Sequence, residues 1–300
     1  MDFALSPAEE AFRRRVRDWL RANLPEGWGT PRCPRPRTPA EKVAFARRWQ
    51  RTLYDGGWAG VSWPAEYGGQ ALSPLEQLMF HEECFAAGAP DMIDIAIGLN
   101  LTGPTPGITV RPLAEMTGVA WFNEVFFDNV VVPLDMVVGE IDRGWDIAIT
   151  TLSHERGTVV PYQRLAQHLD GVAALARRLA ADAPRGTGAA DRQRLAQLAI
   201  DVAVLRLSTY RNLSQIMRSG RPGAEGSMLK LLWSELEQRI MEAAASISGA
   251  YAQLDEHAPQ AVDAGRWQYG YLWSRAATIY AGTSEVQRNI IAQRMLGLPR

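Results

Sequence analysis

Two short stretches hold the residue types that do chemistry. The first, Thr151-Leu152-Ser153-His154-Glu155-Arg156-Gly157, sets a base, an acid and a cation side by side next to an apolar run. A carboxylate in a dry pocket has a raised pKa and becomes a stronger base. The same triplet suits an exposed charge pair on a bundle helix, and spacing alone leaves both readings open. The second stretch, Tyr280-Ala281-Gly282-Thr283-Ser284-Glu285-Val286-Gln287, is a turn that opens a helix. Ser284 with Gln287 satisfies the pattern of a capping box, and such a turn points free amides toward an anion. Ala281 carries only a methyl group and cannot take a proton.

Other chemistries find no support. Each of the four histidines, His81, His154, His168 and His257, lacks a glutamate three residues before it, so a di-iron bundle is excluded. There is no Gly-x-Ser-x-Gly elbow, no Walker A loop and no Gly-x-Gly-x-x-Gly fingerprint. Two cysteines, Cys33 and Cys84, make neither a disulfide framework nor a metal cluster. No metal is expected, and a reducing cytoplasm is the plain expectation. A net charge of −1 argues against a nucleic-acid binder, although residues 1–52 are locally basic, with Arg13-Arg14-Arg15 read as a solvated helix face. The start of the chain has no signal-peptide pattern and no apolar run spans a bilayer.

The elements that must position these residues are mostly helices. Ser6-Pro7-Ala8-Glu9, Thr38-Pro39-Ala40-Glu41 and Ser73-Pro74-Leu75-Glu76 each place a hydroxyl at N-cap, proline at N1 and glutamate at N3. They predict helices near 7–23, 39–55 and 74–87, the second ended by Gly56-Gly57. Trp63-Pro64-Ala65-Glu66-Tyr67-Gly68-Gly69 reads as a buried loop packed on those helices. Between 107 and 133 the β-branched and aromatic runs Gly107–Val110, Val125–Phe127 and Val130–Val132 predict two or three strands. From 142 onward the pattern is helical. Leu229, Leu232, Trp233, Leu236, Ile240, Ala243 and Ile247 fall on one stripe, and Leu195, Leu198, Val202, Leu205 and Leu213 on another, as in an antiparallel bundle.

Taken together, these segments resemble the acyl-CoA dehydrogenase family. The resemblance rests on Trp63–Gly69, on Phe122-Asn123-Glu124-Val125-Phe126-Phe127-Asp128-Asn129-Val130 running through Val132-Pro133 and Gly144-Trp145 to His154-Glu155-Arg156, and on Arg275–Leu298. It implies a mostly α fold: an N-terminal helical domain (1–105), a remnant of the β-domain (106–138) and a C-terminal antiparallel helical bundle (139–300). It implies α,β-desaturation of an acyl-CoA thioester with FAD as hydride acceptor and a separate electron-transfer acceptor. In the family the residue before Gly-Thr often carries the catalytic carboxylate. Here that residue is Ala281. In the long-chain and isovaleryl-type branches the base sits directly before the arginine, where this chain has Glu155. By position, Ser153, His154, Arg156 and Gly282 lie beside the acyl-CoA, and Thr283, Ser284 and Glu285 beside FAD.

The pattern departs from the family in two places. Gly98–Thr105 resembles the end of the helical domain and Pro106–Val110 already resembles the last β-strands, so most of the β-domain is missing. Arg177–Asp182 and Ser248–Gln253 stand where many relatives hold FAD across a subunit boundary with Arg-x-x-Phe-Gly and Gly-Gly-x-Gly. An oligomer is expected, homomeric or heteromeric. The second reading is a flavin-free, non-catalytic subunit or degenerate relative that assembles with an intact dehydrogenase.

Overall fold

The computed structural model describes residues 5–28, 33, 39–90, 106–120, 122–155, 162–182, 188–220 and 222–299, without the side chains of 39, 40, 42, 43, 152–155 and 182. The chain divides into two compact units, residues 1–108 with 128–130, and residues 109–127 with 131–300.

The first unit packs three helices, α1 (Pro7–Asn23), α2 (Pro39–Asp55) and α3 (Pro74–Ala86). Two of the three capping boxes are formed in full. Ser6 Oγ accepts from the Glu9 amide while the Glu9 carboxylate accepts from the Ser6 amide, and Ser73 with Glu76 repeats the arrangement. Thr38 of the third box lies outside the described residues. The caps aim the apolar faces inward. Phe12, Val16 and Leu20 of α1 meet Trp49 and Leu53 of α2, Trp58, and Met79 and Phe80 of α3. The Trp58 and Phe80 rings stack with centroids 5.2 Å apart.

The basic face of α1 is only partly solvated. Glu83 of α3 is buried and accepts from Arg13 Nε at 3.0 Å and from Arg17 Nε and Nη2 at 2.9 Å. Burial alone would raise the Glu83 pKa, but Arg17 and then Arg13 outweigh it and hold the carboxyl below its ordinary value. The Trp63–Gly69 segment is not buried as expected. Trp63 is 61% exposed and Tyr67 70% exposed, because the loop closes on itself through bonds from the Tyr67 and Gly69 amides to Pro64 O rather than by packing on helices.

The second unit opens with a two-stranded sheet, β1 (Ile108–Leu113) and β2 (Phe122–Phe127). The third expected strand is absent: 130–132 is irregular, since Asn129 at φ 49° turns the chain away from the ladder. Helices α4 (Gly144–Glu155), α5 (Tyr162–Asp182), α6 (Ala189–Ser219), α7 (Glu225–Ser248), α8 (Arg266–Ser274) and α9 (Ser284–Ile290, continued by a π turn to Met295) follow.

Helix α7 is the hub, packed against α5, α6, α8 and α9. Leu229, Leu236, Ile240 and Ala243 of the predicted stripe are buried with Trp233, while Leu232 at its border is 38% exposed. They meet Leu165, Leu169, Val172 and Leu175 of α5, Leu198, Leu205 and Leu213 of α6, and Trp267 of α8 as the core of the unit. Glycines permit the closest approaches of α8. A Cβ on Gly171 would lie 2.9 Å from the Trp267 ring, and one on Gly270 would lie 2.8 Å from Met241 Sδ. Replacing Ile240 by Ala is expected to destabilise the protein by about 2–5 kcal/mol, the usual cost of a cavity in a tight core, read from urea unfolding.

This core also holds polar groups. Glu237 of α7 is 2% exposed and pairs with Arg164 of α5 at 3.3 Å. Burial raises its pKa, with Arg164 opposing. The His168 pKa is pushed down to about 3, first by burial and then by the charges of Arg164 and Arg266. The sign of the linkage follows. An unfolded His binds its proton at about pH 6.5, and the folded one does so only near 3, so this residue's contribution weakens stability as pH falls from about 6.5 toward 3. His168→Leu is therefore expected to lose less stability than wild type between pH 7.5 and pH 5, measured as the shift in urea midpoint at each pH.

Candidate functional site

The site is built from the turn between α8 and α9. Four carbonyls in and beside it are taken by side chains that are buried or half-buried. Lys230 of α7, 4% exposed, donates from Nζ to Ala277 O at 3.0 Å. Gln238 of the same helix donates from Nε2 to Ser274 O at 3.2 Å and to Thr278 Oγ1 at 2.9 Å. Gln287 of α9, fully buried, donates from Nε2 to Ala281 O at 3.0 Å and to Gly282 O at 3.2 Å. Held this way, Ala281 adopts φ 54° and Gly282 φ 89°. The second is natural for glycine. The first is strained for alanine.

The helix that follows is capped by Thr283, not by Ser284 as the sequence suggests. Thr283 is extended (φ −61°, ψ 161°) and its hydroxyl accepts from the Val286 amide. The expected Ser284–Gln287 box does not form, because Gly282 turns the chain one residue earlier and Gln287 reaches back past the cap to the turn carbonyls. Ser284 is left 6% exposed, and its Oγ has no hydrogen-bond partner among the described residues. Gln287 Oε1 is in the same state.

A groove of about 490 Å³ opens beside this turn. Thr278, Ile279, Thr283, Ser284, Glu285 and Arg288 line one side, and Glu235, Gln238, Arg239 and Glu242 of α7 the other. Arg288 pairs with Glu235 across it at 2.5 Å. The exposed Glu285 carboxyl is held below its ordinary pKa, first by its own backbone amide and then by the Thr283 hydroxyl, with Arg288 and Lys230 adding. Glu285 is therefore ionised at neutral pH. The groove thus offers hydroxyls, three carboxylates and two guanidinium groups, of which Arg288 is paired with Glu235 and Arg239 with Asp201.

Three of the sequence-derived residues, Thr283, Ser284 and Glu285, line this groove, and Gly282 directly precedes them in the same turn. Ser153, His154 and Glu155 form the last turn of α4, and their side chains lie outside the described ones. Arg156 lies outside the described residues altogether. The sequence reading missed Lys230, Gln238 and Gln287. Lys230 left a trace, since it is one of only two lysines and interrupts an apolar stripe between Leu229 and Leu232. Gln287 was singled out only as a capping-box partner of Ser284, and Gln238 left no trace.

Among the described residues no group of three or more His, Cys, Asp or Glu side chains is placed to hold a metal, and no helix is long and apolar enough to cross a membrane.

Comparison with known proteins bears on the rest. Residues 6–105 match the model for the acyl-CoA dehydrogenase N-terminal domain and residues 142–296 that for the acyl-CoA dehydrogenase C-terminal domain. The chain is 28% identical to the acyl-CoA dehydrogenase IpdE1 of Mycobacterium tuberculosis over 409 aligned positions, covering 97% of this chain and 98% of the relative. Since this chain has 300 residues, more than a hundred of those positions face no residue here. It is 33% identical over 197 positions to the acyl-CoA dehydrogenase FadE34 of the same organism, 65% of this chain and 26% of the relative. Among solved structures, the ChsE4-ChsE5 complex from M. tuberculosis matches with a TM-score of 0.73 at 23% identity, covering all of both chains. The Tcur3481-Tcur3483 steroid ACAD matches with 0.73 at 20%, again over all of both chains. These two likenesses speak to the fold. The family models, which between them cover both helical parts of the chain, show that it belongs to the acyl-CoA dehydrogenase family, with most of the central β-domain missing.

Proposed function

We propose that this chain is an FAD-dependent acyl-CoA dehydrogenase that introduces an α,β double bond into an acyl-CoA thioester and passes its electrons to a separate acceptor. Residues 1–105 form its helical domain, 106–138 its reduced β-domain and 139–300 its C-terminal bundle. The observation that carries the reading is the turn at 281–285, held by buried donors against a groove and flanked on both sides by sequence of this family.

The residues present fit FAD along one wall. Ser284, on the groove wall, is buried and its Oγ has no partner among the described residues. A buried polar atom left unpaired costs about 1–3 kcal/mol, which argues for a polar guest beside it. The groove has the size of an ordinary small-molecule site. Thr283 and Ser284 would hold FAD through their hydroxyls. An ionised Glu285 would suit a hydroxyl or amino group of the dinucleotide, and Arg288 or Arg239 would suit its phosphates. FAD, when bound, supplies the acceptor for the hydride that leaves the β-carbon.

The remaining work falls to side chains of this chain. Glu155 takes the α-proton, and Arg156 supports the pocket around it. Ser153 and His154 of the same stretch, and Gly282 of the 281–285 turn, serve to bind the acyl-CoA. With Ala281 in place of a carboxylate, no second base competes for the proton at that position. A base on the earlier helix suits branched or bulky acyl groups, and the steroid ACAD among the structural neighbours points the same way.

One observation favours a second reading, in which the chain is a flavin-free subunit beside an intact dehydrogenase. Phe127, Val131, Leu134, Val138, Ile141 and Trp145 are each more than 70% exposed. Contiguous apolar exposure of this kind marks a binding surface. Two neighbours, ChsE4-ChsE5 and Tcur3481-Tcur3483, are named as pairs. In this reading the intact dehydrogenase covers the stretch.

Two measurements test the proposal. The visible spectrum of the purified protein, with flavin quantified after denaturation, is expected to give near one flavin per chain; a colourless protein that also fails to take up added FAD supports the flavin-free reading. Glu155→Gln is expected to slow turnover by about 10²–10⁴ at unchanged flavin content. Turnover equal to wild type would reject Glu155 as the base.

A further inference from the structure

We infer that Gln287 is the positioning residue of the flavin-side turn: its buried amide holds Ala281 and Gly282 in their left-handed conformations, and cofactor affinity depends on that hold. The inference rests on the assignment of Thr283–Glu285 to FAD made above.

The geometry points to this role in three steps. First, Ala281 at φ 54° is unfavourable for a residue with a Cβ, so the surroundings must over-determine it. Gln287 is the side chain that bonds both carbonyls of the strained pair, at 3.0 and 3.2 Å. Second, Gln287 is completely buried and sits one turn into the helix it serves, so its amide is fixed by packing and costs little to order. Third, its Oε1 has no partner among the described residues, although each donor bond of its Nε2 is made. A glutamine kept for packing alone would be better replaced by an apolar residue of the same shape, because burying an unpaired oxygen is costly. The carbonyl-gripping half of the amide is what the fold retains.

The consequence is local. With both carbonyls drawn inward to Gln287, the extended Thr283 turns its hydroxyl back on the Val286 amide, and Thr283–Glu285 face the groove. Without the grip, Ala281 relaxes to negative φ, and the groove wall loses its shape before any ligand arrives.

The experiment uses the full chain, stripped of flavin and titrated with FAD by quenching of flavin fluorescence. Amide hydrogen exchange across 279–286 is followed in the same flavin-free samples. Gln287→Leu removes both donor bonds; Gln287→Met does so while keeping the side chain's length and volume, and stands in if the leucine variant fails to fold. Either variant is expected to weaken FAD binding about tenfold and to speed exchange at 281–284. Adding Ala281→Gly removes the strain that Gln287 restrains, so the double variant should recover most of the lost affinity. Wild-type affinity in Gln287→Met would overturn the inference. So would a loss that Ala281→Gly leaves untouched, since that outcome marks a packing defect. Failure of the wild type itself to bind FAD would instead overturn the cofactor assignment on which the inference stands.

Discussion

Unpaired backbone carbonyls set the terms for the C-terminal half of this protein. Where α8 gives way to α9 the chain makes a short 3₁₀ turn and then a left-handed one, and the carbonyls of Ala277, Ala281 and Gly282 are met by side chains. In a buried position such groups must find donors. The fold supplies an ammonium from Lys230 and carboxamides from Gln238 and Gln287, two of them from the central helix α7. That requirement explains why α7 carries a buried lysine among Leu229, Trp233 and Leu236. A cation buried against a carbonyl is expensive unless the bond is good, so α7 and the turn cannot move independently. The groove beside the turn inherits that rigidity.

The opposite condition holds between β2 and α4. Here the chain exposes a run of large apolar side chains, and the described side chains of α4 are exposed or half-buried on every face. Two strands alone make a marginal sheet. The alignment with IpdE1 leaves more than a hundred positions without a counterpart. A rigid, well-packed bundle and an uncovered apolar strip in one polypeptide are what results when the scaffold for one wall of a site is kept and the scaffold for the other is removed.

How much of this was legible beforehand follows the range of the interactions. The Ser6 and Ser73 caps were readable because a cap is decided within four residues. The stripe on α7 was readable because period alone sets which face is buried, and it erred only at its border, at Leu232. The Thr283-Ser284 pair was misassigned because both residues cap well, and the choice between them depends on the φ of Gly282. Trp63 and Tyr67 were expected inside because aromatics usually are, whereas a self-closed turn leaves them in solvent. The ion pairs of Arg13 and Arg17 with Glu83 bridge nearly seventy residues, and the grip of Lys230 on Ala277 bridges 47. No local pattern encodes either.

Ala281 ties these threads together. A carboxylate at this position would have both to take a proton and to sit in a left-handed turn, so its charge and its backbone would be chosen together. Here the position carries a methyl group and the proposed base lies on α4. The turn is then free to be held by neutral amide bonds from Gln287, and the ionised groups near it, Glu285 and Arg288, point into the groove. Separating proton removal from turn geometry lets the second be optimised for binding alone. It also makes the turn a good place to look for the remaining function of any relative that has lost its chemistry, since its shape is kept by residues that never needed to react.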